Sequence, residues 1–179
     1  HVKADYECDD SIKEMFDYLQ AQGFSTTDTV GMMTAVQTKH VVIEEYDGTF
    51  GSIIIAVTAG VGNAVDVSKA FEREDEPYVG TINTWIIVNG KLSDEAFIQA
   101  MITATEAKTK ALQNEDVRDS ITNTLATGTS TDSLLVAATQ KGELLPYAGP
   151  ITELGKCIGR GVFECTTLAI KRYKVAKGM

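Results

Sequence analysis

The stretch Phe50 to Val57 decides the fold class, because its sequence FGSIIIAV contains the continuous apolar run IIIAV at 53–57. A run of this kind is typical of a β-strand that is buried on both faces. The turn-forming sequence Tyr46-Asp47-Gly48-Thr49 precedes it. The segment Thr29 to Tyr46 is a further predicted strand, with a break near residues 37–39. We therefore expect at least one antiparallel hairpin in a central sheet.

The rest of the chain alternates predicted helices and strands. In chain order these are a helix from about Ser11 to Ala21 capped by Asp9 or Asp10, a strand Thr81–Val88, a helix from Ser93 to about Asn114, a strand Leu134–Thr139 and a helix Thr152–Ala176. The helix after Ser93 is apolar around most of its circumference, which predicts packing against the sheet and a second element. The pattern indicates an α/β or α+β fold with a central mixed β-sheet flanked by helices.

Length and charge limit the class of protein. The 179 residues suffice for one domain with a buried core, which we assign to residues 1–179. No apolar run approaches the ~20 residues that a membrane-spanning helix needs. The formal net charge of -9 argues against nucleic acid as a partner, because phosphate binding requires clustered Lys and Arg. The chain begins with His1 rather than Met, which leaves open that the N-terminus is incomplete or part of a longer protein.

Histidine and cysteine are scarce. His1 and His40 are the only two histidines, which excludes a site built from several internal imidazoles. Cys8, Cys157 and Cys165 have no paired spacing, so a four-cysteine zinc site is excluded and reduced thiols in the cytoplasm are expected. We therefore predict no protein-bound metal, with coordination by Asp and Glu alone as the alternative.

Two segments at strand ends have compositions suited to ligand binding. Residues 58–64, TAGVGNA, follow the buried strand, and their small side chains and backbone N–H groups allow a ligand to approach closely. A tight strand-to-helix turn is the alternative interpretation. In residues 80–84, GTINT, Thr81 and Asn83 share one strand face, which either lines a cleft or points to solvent at an edge.

Two further segments contain groups suited to acid–base or nucleophilic chemistry. Residues 103–108, TATEAK, place Glu106 in an apolar helix, where it either serves acid–base chemistry or pairs with Lys110 on the surface. Residues 126–133, ATGTSTDS, contain five hydroxyls and one carboxylate around Gly128. Such a loop either binds a polar ligand or is simply solvated.

Together the motifs resemble one family. The succession GMMTAV at 31–36, the four segments above, and YAG…LG…IGR at 147–160 resembles the adenosylcobinamide amidohydrolases, the CbiZ family, over nearly the whole chain. The resemblance implies hydrolysis of the amide joining aminopropanol to a corrin propionate, giving adenosylcobyric acid in cobalamin (vitamin B12) salvage. It implies a corrinoid substrate that carries its own cobalt, and no separate cofactor. Many members carry a His after the YAG glycine, where this chain has Pro150-Ile151.

Amide hydrolysis needs a base, a proton donor for the amine and donors for the oxyanion. Glu106 or Asp132 is the predicted base, and the other carboxyl group or Lys108 is the predicted proton donor. Thr129 or Thr131 is an alternative covalent nucleophile, which would need a neighbouring base. Asn63 and Asn83 would hold the carbonyl oxygen with backbone N–H groups. The predicted substrate-binding residues are Thr58, Gly60, Gly62, Asn63, Thr81, Asn83, Thr129 and Thr131.

Two other functions stay open at the level of sequence. A non-catalytic corrinoid-binding or regulatory module would keep the pocket without the chemistry. A nucleotide-binding enzyme would use the glycine loops for phosphate, although the chain has no P-loop pattern. The oligomeric state is also open, a homo-oligomer included.

Overall fold

The structure is a computed structural model that describes residues 1, 2, 6, 8–73 and 79–179. The described residues form three α-helices, Ser11–Ala21 (α1), Asp94–Asn114 (α2) and Glu153–Lys177 (α3). Their β-strands are Val42–Gly48 (β1), Gly51–Ala59 (β2), Ala64–Val65 (β3), Ile82–Val88 (β4), Lys91–Leu92 (β5), Gly128–Thr129 (β6), Ser133–Ala138 (β7) and Leu144–Leu145 (β8). None of these helices combines the length and the apolar character needed to cross a membrane.

The central sheet has the strand order β1-β2-β4-β7. β1 with β2 and β2 with β4 are antiparallel, whereas β4 and β7 are parallel. The parallel pair follows from its connection, because the chain passes through α2 between the two strands. The predicted mixed sheet and the predicted hairpin are therefore both confirmed.

The core lies between one face of this sheet and the helices α2 and α3. On β2, Ile53, Ile55 and Val57 are fully buried on that face. α3 approaches closely because it has Gly161 at the contact, where an added Cβ would lie 2.5 Å from Ile55. Each fully buried aliphatic side chain of this kind stabilises the fold by about 1.5–3 kcal/mol.

The run at 53–57 is not buried on both faces, so that expectation was wrong. Ile54 is 39% exposed and pairs across the sheet with Ile87, which is 41% exposed. The reason is tertiary, because α2 and α3 pack on the same face of the sheet and contact each other. The strand therefore alternates between buried and exposed positions like a sheet covered on one side.

Local signals predicted the helices well. Asp10 caps α1 by accepting a hydrogen bond from the Lys13 N–H over 2.9 Å, and Ser93 and Thr152 cap α2 and α3. As predicted, α2 contacts both the sheet and α3, although some apolar side chains on its outer face stay exposed, namely Ile98, Met101 and Ile102.

The predicted strand from Thr29 to Tyr46 is only partly present. Regular strand begins at Val42, and residues 31–37 are irregular before a short 3₁₀ turn at Thr38–His40. Side chains and the backbone of Val2, rather than a neighbouring strand, form hydrogen bonds with the backbone of this segment. Asn83 donates to the Met33 carbonyl oxygen over 2.8 Å, and the Val36 N–H donates to the Thr34 hydroxyl over 3.1 Å.

Candidate active site

The four singled-out segments meet at one end of the central sheet, the helical segment 103–108 through Lys108. The register places Thr58 beside Asn83 and Asn83 beside Ser133. This follows from topology, because β2 ends where its antiparallel neighbour β4 begins, and β7 begins beside β4 in parallel. The segments 58–64, 80–84 and 126–133 are thus brought together. We call the side chains gathered there the strand-end cluster: Thr58, Asn63, Thr81, Asn83, Lys108, Thr129, Thr131 and Asp132.

Glycines allow the backbones of two of these loops to touch. The Gly60 N–H donates to the Thr81 carbonyl oxygen over 2.9 Å. A side chain at Gly80 would overlap Asn63 Oδ1 and would lie 2.8 Å from the Gly60 carbonyl oxygen. Gly62 lies against Tyr173 of α3, whose pKa is raised by burial. The loop after β2 leads into the short strand β3, so the alternative interpretation of these glycines, a strand-to-helix turn, is wrong.

Two buried polar atoms in the cluster lack a hydrogen-bond partner among the described residues. They are Thr58 Oγ1 and Asn63 Oδ1, and the two residues are 9% and 3% exposed. The amide nitrogen of Asn63 donates to Ser130 Oγ over 2.7 Å. An unpaired buried polar group costs about 1–3 kcal/mol, and such groups in native structures call for an explanation such as a functional role.

Two threonines of the cluster tie the loop before β7 to the start of β4. The Thr81 hydroxyl donates to the Thr131 carbonyl oxygen over 2.7 Å, and the Thr131 hydroxyl donates to the Gly80 carbonyl oxygen over 2.6 Å. These two bonds run in opposite directions between the same two segments. They fix the position of Asp132, which follows directly in the chain.

Asp132 is the acidic residue of the strand-end cluster, and three groups bind its carboxylate. Its Oδ2 forms an ion pair with Lys108 of α2, and its Oδ1 accepts hydrogen bonds from the Thr129 hydroxyl at 2.5 Å and the Ile82 N–H at 3.0 Å. The side chains of Lys108 and Asp132 are 16% and 17% exposed. Gly128 leaves room for the pair, because an added Cβ would lie 2.6 Å from Asp132 Oδ2 and 2.9 Å from Lys108 Nζ.

The structure does not bring Glu106 into the cluster. Glu106 precedes Lys108 by two residues, which places the two side chains roughly 200° apart around a helix with 3.6 residues per turn. It is exposed and lies in a shallow surface groove beside Met101, Ile102 and Lys110. Of the predicted acid–base groups, only Asp132 and Lys108 share a site.

Two cavities border the cluster. The larger, of about 690 Å³, lies between the strand end at Thr81, Thr131 and Ser133 and a wall that is mostly apolar. This wall includes Ile12, Met15, Phe16, Leu19, Val30, Met32 and Met33. The smaller, of about 240 Å³, is bordered by Lys108, Asp132 and Ser133. The larger volume is within the roughly 300–1,000 Å³ of ordinary ligand sites.

The YAG segment lies away from the cluster. Gln99 Oε1 accepts the N–H groups of Ala148 at 2.9 Å and Gly149 at 3.1 Å, while Glu153 binds Thr49 in the turn between β1 and β2. That turn is at the opposite end of β2 from Thr58. The Pro150-Ile151 departure therefore changes no side chain of the cluster.

A second polar network was not predicted. The buried Asp119 accepts hydrogen bonds from the Asp66 N–H at 2.9 Å and from Arg73 at 3.0 Å, and the Thr124 hydroxyl donates to Asp66 at 2.6 Å. Burial by itself raises the pKa of Asp119. The backbone N–H groups and Arg73 lower the pKa by more than burial raises it, so the pKa lies below its ordinary value. These residues are distant in sequence and form no pattern. Their effect is to hold the strands β3 and β6 beside the cluster.

The described His, Cys, Asp and Glu side chains include no group of three or more placed to bind a metal ion. The chemistry available from the described cluster is that of a carboxylate, an ammonium group and hydroxyls. This set can move a proton to or from a bound substrate and can provide a hydroxyl nucleophile.

The family profile and two named relatives indicate the same family. The sequence profile of the adenosylcobinamide amidohydrolases (CbiZ) matches residues 1–178. An adenosylcobinamide amidohydrolase of Methanosarcina mazei is 33% identical over 147 residues, 77% of this chain and 64% of that protein. One of Halobacterium salinarum is 28% identical over 164 residues, 86% of this chain and 64% of that protein.

An uncharacterized protein of Methanocaldococcus jannaschii is 40% identical over 99 residues, 54% of this chain and 38% of that protein. No solved structure matches the chain. The chain thus spans less than two thirds of the length of these relatives. By profile and by identity, the chain belongs to the adenosylcobinamide amidohydrolase family.

Proposed function

We propose that this protein hydrolyses the amide bond of adenosylcobinamide, releasing aminopropanol and adenosylcobyric acid for cobalamin salvage. The bond concerned joins aminopropanol to a propionate side chain of the corrin ring. Membership of the family supports this assignment. The observation that carries it is the contact of Asp132 with both Lys108 and Thr129 at the edge of a cavity.

The proposed chemistry uses Asp132 as the base and Lys108 as the source of positive charge and protons for the leaving amine. Both side chains are largely withdrawn from water, which strengthens their interaction with a bound substrate. Thr58 Oγ1 and Asn63 Oδ1 have no described partner, but both atoms are buried and neither residue lines either cavity, so the proposed chemistry does not use them. General acid–base catalysis of this kind contributes about 10²- to 10⁴-fold to a rate.

The size of the cavity fits part of such a substrate. Adenosylcobinamide is a corrin with several amide arms and an adenosyl group, and it is larger than the ligands that cavities of roughly 300–1,000 Å³ enclose. We propose that one edge of the corrin lies in the 690 Å³ cavity, against the apolar wall of α1, and that the aminopropanol arm reaches the 240 Å³ cavity beside Lys108 and Asp132. The cobalt belongs to the substrate. The three free cysteines support a cytoplasmic location for this reaction.

The test is incubation with adenosylcobinamide and quantification of free aminopropanol by mass spectrometry. We expect release that depends on time and on enzyme concentration, and that is lost in Asp132→Asn. Binding of adenosylcobinamide, measured by calorimetry, without release would instead identify a corrinoid-binding module. A thermal shift with ATP but not with adenosylcobinamide would favour the nucleotide-binding alternative.

A further inference from the structure

We infer that Thr129 is the covalent nucleophile of the proposed hydrolysis, so that the reaction passes through an ester between Thr129 Oγ1 and the corrin propionyl group. This inference rests on the proposed function and deepens it. In this reaction Thr129 first attacks the amide carbon, and water then attacks the resulting ester.

The hydroxyls of the loop differ in what accepts their protons. The Thr131 hydroxyl donates to the Gly80 carbonyl oxygen, which is not a base. Ser130 Oγ accepts a hydrogen bond from the Asn63 amide. Thr129 donates to the carboxylate of Asp132 at 2.5 Å. A hydroxyl nucleophile requires an adjacent general base, and among these three hydroxyls Thr129 has one in the described structure.

The base is itself held in position. Ile82 donates its backbone N–H to the same oxygen, Asp132 Oδ1, and Lys108 binds the other oxygen, Oδ2. Two fixed partners from different elements therefore orient the carboxylate toward Thr129. Other hydrolases activate a hydroxyl in the same way: the nucleophile contacts a base, and a third group holds that base in position.

Thr129 lies next to a cavity without lining it. Its side chain is half-buried rather than enclosed, and Asp132 and Lys108 border the 240 Å³ cavity. The preceding residue, Gly128, has no side chain that would crowd the pair. Asp132 thus connects the Thr129 hydroxyl directly to the border of the cavity that we propose for the substrate carbonyl.

The proposed hydrolysis has two steps, formation of an ester at Thr129 and its hydrolysis by water. Thr129 Oγ1 forms a bond to the amide carbon while its proton passes to Asp132. The tetrahedral intermediate collapses, the C–N bond breaks, the amine of aminopropanol takes a proton from Lys108, and Asp132 passes its proton to Lys108. Water then attacks the ester carbon and gives a proton to Asp132, the C–O bond to Thr129 breaks, and the proton returns to Oγ1. The net reaction is amide plus water to carboxylic acid plus amine.

The experiment compares Thr129→Ala, Thr129→Ser and Thr129→Cys with wild type, using adenosylcobinamide as the substrate. We expect Thr129→Ala to lose about 10³-fold or more in kcat, as is common when a nucleophile is removed. Thr129→Ser should keep measurable turnover. Thr139→Ala, which removes an exposed hydroxyl at the other end of β7, is the matched control and should behave like wild type.

The decisive readout is covalent. In single turnovers of Thr129→Cys quenched with acid, intact-protein mass spectrometry should show the corrinoid acyl adduct, and peptide mapping should place it at position 129. A merely structural role for Thr129 would not produce this adduct. Thermal unfolding of Thr129→Ala should show that the fold is retained.

A failure of the nucleophile assignment and a failure of the proposed function would give different results. Wild type that releases aminopropanol, together with Thr129→Ala within tenfold of it, would overturn the nucleophile and leave the proposed function standing. Release by Thr129→Cys in single turnovers without an adduct would do the same. Wild type that binds adenosylcobinamide but releases no aminopropanol would contradict the proposed function itself, and the nucleophile with it.

Discussion

Lys108 on α2 and Asp132, 24 residues later in the loop before β7, form an ion pair at the end of the central sheet. The pair joins a helix to a loop, and both side chains are mostly removed from water. Its geometry depends on the parallel pairing of β4 and β7, which places the start of β7 beside α2.

Asp132→Asn should lower kcat for adenosylcobinamide by about 10²- to 10⁴-fold, because it removes the proposed base. Lys108→Met should also reduce turnover, because it removes the cation that orients the carboxylate. Glu106→Gln should stay within about twofold of wild type, because Glu106 is exposed on another face of α2. Steady-state release of aminopropanol measures all three. A large loss in Glu106→Gln with normal Asp132→Asn would reverse the assignment.

Two glycines of α3 should respond in opposite ways to the same substitution. An added Cβ at Gly155 would overlap the Gly149 carbonyl group, whereas at Gly159 the nearest atom would be Thr103 Cγ2 at an ordinary 3.7 Å. Gly155→Ala should therefore destabilise the protein by about 3 kcal/mol, as overpacking does. Gly159→Ala should be neutral or should stabilise it by up to about 1 kcal/mol through helix propensity. Urea unfolding at pH 7 measures both, and equal effects would contradict the packing at Gly155.

Asp119 should make the stability depend on pH in acid. Its pKa lies below the ordinary 3.8, because three backbone N–H groups and Arg73 outweigh the effect of burial. A lowered pKa in the folded state gives stability that is complete above the ordinary value and is lost as the pH falls through the folded value. The free energy of unfolding should therefore decrease as the pH is lowered below about 4.

Asp119→Asn should cost about 3 kcal/mol at pH 7, since it removes the buried carboxylate charge that three backbone N–H groups and Arg73 bind. Its deficit should shrink at pH 3, where wild type also begins to lose the charge. Asp116→Asn is the matched control: the Asp116 side chain is 69% exposed and its pair with Arg118 lies on the surface, so about 0.5 kcal/mol or less is expected. Urea unfolding at both pH values measures the difference. A deficit of Asp119→Asn that does not change with pH would contradict this account.

Local chemistry accounts for what could be predicted. The caps at Asp10, Ser93 and Thr152 start helices through bonds to residues three positions along the chain, so the starts of these helices follow from sequence. The apolar run at 53–57 likewise predicts a strand from its local composition alone. Whether its second face is covered depends on where α2 and α3 pack, which no local pattern encodes.

In the candidate site, too, some features follow from local sequence and others from tertiary packing. The sequence by itself determined the helices, the strand-forming segments and the chemical composition of the loops at 58–64, 80–84 and 126–133, because these depend on neighbours within a few residues. Only the tertiary structure decided that these loops meet, that Lys108 rather than Glu106 faces Asp132, and that Thr129 rather than Thr131 has a base. Strand register and the rotation of a helix about its axis set those contacts, and both are fixed by packing between residues far apart in the chain.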